Sequence, residues 1–175
     1  MKLFCLMWVL VLFQPSTARG IVQQYHTLVE RAVAEYPFMV DGREMHIEPA
    51  LIYAVIYQES RGNPRAKSRV GAYGLMQMMP KTAHLAHCKY SELGNPGVSI
   101  SCGVKFLAAL MTYNRGNMVK TLSGYNGGTW NSEHRSTHKT GVLAGKIYDN
   151  PETKRYVVSV LRLYEWYLSN ERYIK

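Results

Sequence analysis

Glu59 is the residue in this chain best placed to do chemistry. It follows Ile56 by three positions and Val55 by four, so it continues the apolar face of the helix predicted by Leu51, Ile52, Val55 and Ile56. It also falls in the last turn of that helix, before Gly62-Asn63-Pro64, where the backbone dipole is negative. Loss of water and that dipole both disfavour a carboxylate, so its pKa is expected to rise. A carboxylic acid still protonated near neutral pH can act as a general acid. The other arrangement open to Glu59 is a side chain that reaches past a frayed helix end to water. A second acid is hard to find nearby. Residues 60–91 contain no Asp or Glu, and the only aspartates are Asp41 and Asp149.

Several elements must position such a residue. Ile21 to Tyr36 carries a helical apolar stripe that Pro37 stops. Pro49 opens the helix of Glu59. Residues 65–79 are rich in glycine and cations and read as a loop or a short ribbon. Further helices are expected from Pro80 through His87, Ser101 to Asn114, Asn117 to Tyr125, and Pro151 to about Ser169. Residues 126–149 read as a long irregular segment, with His134, Arg135, His138 and Lys139 in a solvated stretch able to meet an anionic glycan or lipid. The fold class is therefore mainly α.

Composition bounds the rest. A chain of 175 residues with 47% apolar and 19% charged residues builds one globular core and is neither disordered nor fibrous. No apolar run reaches the ~18 residues of a membrane span. The formal charge of +9 and a pI near 9.5 favour anionic partners: nucleic acid, anionic lipid or cell-wall polymers.

The N-terminus reads as an export signal over residues 1–18, leaving a single domain over 19–175. Lys2 is followed by the apolar run Leu3 to Phe13, then Gln14-Pro15 and the small residues Ser16-Thr17-Ala18. An uncleaved anchor is the alternative, for which the run is short. Cys5 leaves with the signal. Cys88 and Cys102 remain, and an even pair in an oxidising compartment points to a disulfide, with two buried thiols as the alternative. His84, His87 and Cys88 have ligand-like spacing, but no second cluster completes four ligands, so neither a metal nor a cofactor is expected.

Three blocks then recur in a familiar order. They are Glu59-Ser60, Gly74-Leu75-Met76-Gln77 with Pro80-Lys81-Thr82-Ala83, and Tyr125-Asn126-Gly127, followed by Glu152 to Val157. The arrangement resembles the soluble lytic transglycosylase family over about residues 45–165. Gly124 departs from it, standing where the family usually has Ala. The resemblance implies a lysozyme-like, goose-type helical domain with room for a small β ribbon, acting on the glycan strands of bacterial peptidoglycan. It implies Glu59 as sole catalytic acid and base, with Ser60 beside it and Ser68 near the substrate's acetamido group. Gln77 and Met79 would line sugar subsites, Tyr125 would hydrogen-bond near Glu59, and Asn126 would support the loop. Met76, Met78 and Met79 could also be core residues, and at least one of them should be.

The implied reaction needs only one carboxylate. Ordinary glycoside hydrolysis uses two, and Asp41, Glu44 or Glu152 could supply the second only by folding into the cleft. Three readings follow: a lytic transglycosylase, a hydrolytic lysozyme of the same fold, and a non-catalytic basic module that binds wall or nucleic acid. The first is expected, with no nucleic-acid partner. By analogy with small exported relatives it would open the wall for a secretion or conjugation apparatus, in the periplasm, with no stable membrane anchor once the signal is cleaved.

Overall fold

The computed structural model describes residues 14–127 and 151–170. In chain order these form α1 (Pro15–Glu35), β1 (Phe38–Val40), β2 (Arg43–Met45), α2 (Pro49–Ser60), α3 (Pro80–Leu85), a 3₁₀ turn (Tyr90–Glu92), α4 (Pro96–Tyr113), α5 (Met118–Gly127) and α6 (Pro151–Ser169). Among the described residues, no helix is long and apolar enough to cross a membrane.

The fold is arranged around α2. Ala50 to Tyr57 are all buried, on every side of the helix. A helix apolar all round has to be walled in, and α1 and α6 pack along it. Both flanking helices are amphipathic, turning Val22, Tyr25 and Val29, or Val157, Val160 and Tyr167, inward. Tyr53 of α2 and Tyr167 of α6 meet as a tilted aromatic pair with ring centroids 5.6 Å apart. α4 lies against α1 and extends the core with Ile100, Val104 and Leu107.

α2 ends abruptly. Arg61 takes a left-handed backbone (φ 56°) and Gly62 follows at φ 80°. A side chain at Gly62 would meet Ile21 Cγ1 at 2.8 Å, so only glycine turns the chain this close to α1. The Tyr25 hydroxyl donates to Gly62 O at 2.9 Å and fastens the turn to α1.

Several boundaries differ from the sequence expectation. α4 starts at Pro96 rather than Ser101, because Asn95 caps it, accepting from Gly97 N and Val98 N, and Pro96 fits the first turn. The β ribbon lies at residues 38–45, paired Phe38↔Met45, Met39↔Glu44 and Val40↔Arg43. Asp41 and Gly42 turn it with positive φ at both positions, the two-residue hairpin geometry. Residues 65–79 form only isolated bridges, Lys67↔Tyr73 and Tyr73↔Met78. Most of the irregular stretch 126–149, with its His and cation pairs, lies outside the described residues.

α1 begins at Pro15 rather than Ile21 and so runs through the expected cleavage position after Ala18. Ala18 is 0% exposed, and its carbonyl accepts the Tyr167 hydroxyl at 3.1 Å. Gln14 N donates to the Tyr57 hydroxyl at 2.8 Å. Net hydrogen bonds contribute about 1 kcal/mol each and a buried methyl about as much. A protein beginning at Arg19 is therefore expected to melt lower than one beginning at Gln14, by about 5 °C. Scanning calorimetry of the two proteins checks this, and equal melting temperatures would contradict it.

Candidate active site

Glu59 leaves the last turn of α2 facing α6. Its Oε1 accepts the Tyr156 hydroxyl at 2.7 Å. Tyr156 is 7% exposed, on the inward face of α6 with Val157 and Val160. Glu59 itself stays partly open to solvent. The protein around its carboxyl removes enough water to push its pKa up to about 7, while the Tyr156 hydrogen bond favours the charged form and pulls the other way. Near neutrality the carboxyl can therefore both give and take a proton. Burial, and then the proximity of Glu59, raise the phenols of Tyr156 and Tyr125 well above 10, so both stay neutral and can donate.

Tyr125 is brought to the same place from α5, but with a different partner. Its hydroxyl donates to Met76 O at 2.8 Å and lies 3.6 Å from Met78 Sδ. The expectation that it hydrogen-bonds near Glu59 thus takes this form, with Tyr156 as the direct partner. Sequence reasoning gives Tyr156 no role of its own, although it lies in the Glu152 to Val157 block that accompanies the resemblance.

The loop between α2 and α3 is held by short polar ties. Gln77 has a left-handed backbone (φ 46°), and its Nε2 donates to Ala66 O and to Gly74 O, both at 2.9 Å. It clasps the loop, so its amide nitrogen is engaged by backbone rather than offered to a sugar. Ser68 Oγ accepts from Ala72 N at 2.9 Å and closes the turn at 68–72. Gly74 (φ 84°) presses against Leu93 O and Ser99 Oγ, where a Cβ has no room. Leu75, Met76 and Met78 are buried below, and Met79 is 37% exposed. Of the three methionines, Met79 alone keeps the surface position that a sugar-lining role requires. Ser60 does not face outward: its Oγ donates to Ile56 O at 3.1 Å and accepts from Gly62 N at 3.2 Å, finishing α2. Asn126 sits partly exposed beside Tyr125 near the end of α5.

Three other acids were candidates for a second carboxylate. Asp41 turns the hairpin, and Glu44 sits 3.6 Å from His46 Nε2. Glu152 is exposed, one turn before Tyr156 on α6. The groups that move the proton affinity of Glu59 are its burial and Tyr156, and no described carboxylate joins them. Cys88 is joined to Cys102 with Cα atoms 6.1 Å apart, which ties the segment after α3 to α4 and removes Cys88 from any ligand set.

Residues 37–142 match the family model of the transglycosylase SLT domain. The chain belongs to this family. It is 36% identical over 110 residues to the transglycosylase of Enterobacteria phage PRD1, covering 61% of this chain and 38% of that one. It is 37% identical over 92 residues to endo-type membrane-bound lytic murein transglycosylase A of Klebsiella pneumoniae, covering 47% and 45%. The chain thus spans less than half the length of these two relatives. The 70 kDa soluble lytic transglycosylase of Escherichia coli superposes with a TM-score of 0.64 at 25% identity, over 86% of this chain and 25% of that one. An inactive glutamate-to-glutamine mutant of the Pseudomonas aeruginosa enzyme gives 0.63 at 24% identity. The lysozyme-like transglycosylase fold expected from the sequence is therefore the fold observed. Tyr156 lies beyond the matched stretch, although it completes the surroundings of Glu59 in this SLT domain.

A raised carboxyl pKa has a thermodynamic sign. Glu59 favours its protonated form in the fold, so its contribution to stability is full below about 4.5 and is lost as pH rises through about 7. The loss approaches roughly 3 kcal/mol at alkaline pH. Glu59→Gln is expected to melt close to the parent protein at pH 4 and above it at pH 8, by several degrees. A difference independent of pH, read by calorimetry at both values, would contradict the assignment.

Proposed function

We propose that this SLT domain is a lytic transglycosylase that cuts peptidoglycan glycan strands between N-acetylmuramic acid and N-acetylglucosamine. The observation that carries this reading is one carboxyl, poised to titrate near 7 and held by a phenol, with no described carboxylate acting on it. Glu59 protonates the glycosidic oxygen as the bond to C1 breaks. The acetamido oxygen of the muramic residue attacks C1 and carries the positive charge. Glu59, now a carboxylate, takes the proton of that sugar's C6 hydroxyl, whose oxygen displaces the acetamido oxygen from C1 and closes a 1,6-anhydro ring. The nucleophile is already attached, so proximity replaces the capture of a water molecule. The inactive glutamate-to-glutamine mutant of the Pseudomonas aeruginosa enzyme is in keeping with an essential glutamate. Met79 would meet a sugar face beside this centre, with Tyr125 and Asn126 along the same wall and Ser68 holding the turn at 68–72 that shapes it.

The signal-like residues 1–18 and the charge of +9 support work outside the cytoplasmic membrane, against an anionic wall. Similarity to a phage transglycosylase supports local opening of that wall for an apparatus that must cross it, whether for secretion, conjugation or phage entry.

Digestion of purified sacculi in ¹⁸O-water tests the reaction. The expected products are unlabelled 1,6-anhydromuramic ends, with Glu59→Gln reducing their release by ~10²-fold or more while circular dichroism stays unchanged. Labelled reducing ends as the main product would make the protein a hydrolytic lysozyme.

A further inference from the structure

A concave site away from Glu59 lies where α1 meets α4 and the Cys88–Cys102 bridge. It is a groove of about 480 Å³ that shares no lining residue with the surroundings of Glu59. Its size falls within the range of small-ligand sites. Two helix faces look into it, each with a polar pair one turn apart: Arg31 and Glu35 on α1, Ser101 and Lys105 on α4. Tyr36 joins them. Its hydroxyl donates to Glu35 Oε1 at 2.7 Å and accepts from Ser101 Oγ at 3.2 Å. The disulfide fixes the opposite wall, where His87 is held with a left-handed backbone (φ 56°).

The charges in this groove are not settled among themselves. Lys89 pairs with Glu92 at 3.1 Å on the rim. Lys105 is only partly exposed, its ammonium 5.9 Å from the centre of the Tyr36 ring, and it forms no ion pair with a described residue. Arg31 and Glu35 have the spacing of a helical ion pair but do not close one. The groove thus presents two cations and, beside them, a carboxylate anchored by Tyr36. A plain polyanion would be repelled by Glu35 and a plain cation by Lys105. A ligand with carboxylates and an ammonium satisfies all three.

We propose that this groove seats a short zwitterionic peptide, the stem carried by a peptidoglycan strand, with Lys105 and Arg31 on its carboxylates and Glu35 on its ammonium. The assignment rests on the peptidoglycan reading of the function. Because the groove is separate from Glu59, the stem held there would belong to a neighbouring part of the wall rather than to the sugar being cut. The groove would keep the domain on peptide-bearing wall between cuts.

The test titrates the free stem tripeptide, L-alanyl-γ-D-glutamyl-meso-diaminopimelate, into ¹⁵N-labelled protein. Saturable shifts of amides at 87–89 and 101–105 are expected, with affinity weakened about tenfold by Lys105→Gln and by Arg31→Gln. No saturable binding, shifts centred on Glu59 and Gln77, or affinity unchanged in both variants would overturn the proposal. Equal binding of the same tripeptide with both of its amines acetylated, which carries no ammonium, would overturn the role of Glu35. Cutting of stem-free glycan is read in parallel and should be unchanged in both variants. Its absence in the parent protein, with tripeptide binding intact, would refute the lytic reading and leave the groove as a peptide site. A protein that cuts glycan but ignores the tripeptide refutes the groove alone.

Discussion

The structure depends on holding a carboxyl at the end of a helix that has no wet side. α2 is buried from Ala50 to Tyr57, so Glu59 can leave it only where the helix stops. Water is scarce there, and the charged form is correspondingly costly. The left-handed step at Arg61 and the side-chain-free turn at Gly62 fix that stop, and α1 packs directly over it. α6 supplies a further wall and, with Tyr156, a short hydrogen bond to the acid. Burial and hydrogen bond oppose each other, and their balance leaves a group able to exchange a proton near pH 7.

The loop after α2 serves the same end by different means. It has almost no regular structure, yet Gln77, Ser68 and Gly74 tie it into a fixed shape. α4 receives it closely. Met76 sits against Gly103 with no room for a side chain at that glycine, and Met76 N donates to Ser99 Oγ at 3.3 Å. Tyr125 then caps Met76 from α5. A rigid wall beside a titrating acid is what preorganised catalysis needs, since a substrate held in place loses little freedom at the moment of reaction.

Much of this was legible in the chain. The spacing of Val55, Ile56 and Glu59 placed the acid on an apolar face in the last turn of its helix, and loss of water together with the helix dipole gave the expected rise in its pKa, with a side chain reaching past the helix end to water as the alternative. The helices from Pro49 and Pro151 start where proline marks a first turn. What escaped the pattern was local or distant chemistry. Ser60, Ser68 and Gln77 look like polar groups free to meet a sugar, but each is engaged by backbone a few residues away, which periodicity does not reveal. Tyr156 is 97 positions from Glu59 in the chain, and only the packing of α6 on α2 joins them. The hairpin at 38–45 has strands of three residues, too short for alternation to show, although Asp41-Gly42 is a turn signal. The N-terminal turn of α1 was hidden because a segment read as an export signal is set aside from the fold.

The chemistry turns on Glu59 being an acid tuned by burial. Its carboxyl can be followed directly by ¹³C NMR of glutamate-labelled protein, with Glu59→Gln assigning the resonance. A midpoint near 7, well above the ordinary 4.5, is expected. A Glu59 carboxyl that titrates with the exposed glutamates, near 4.5, would contradict it.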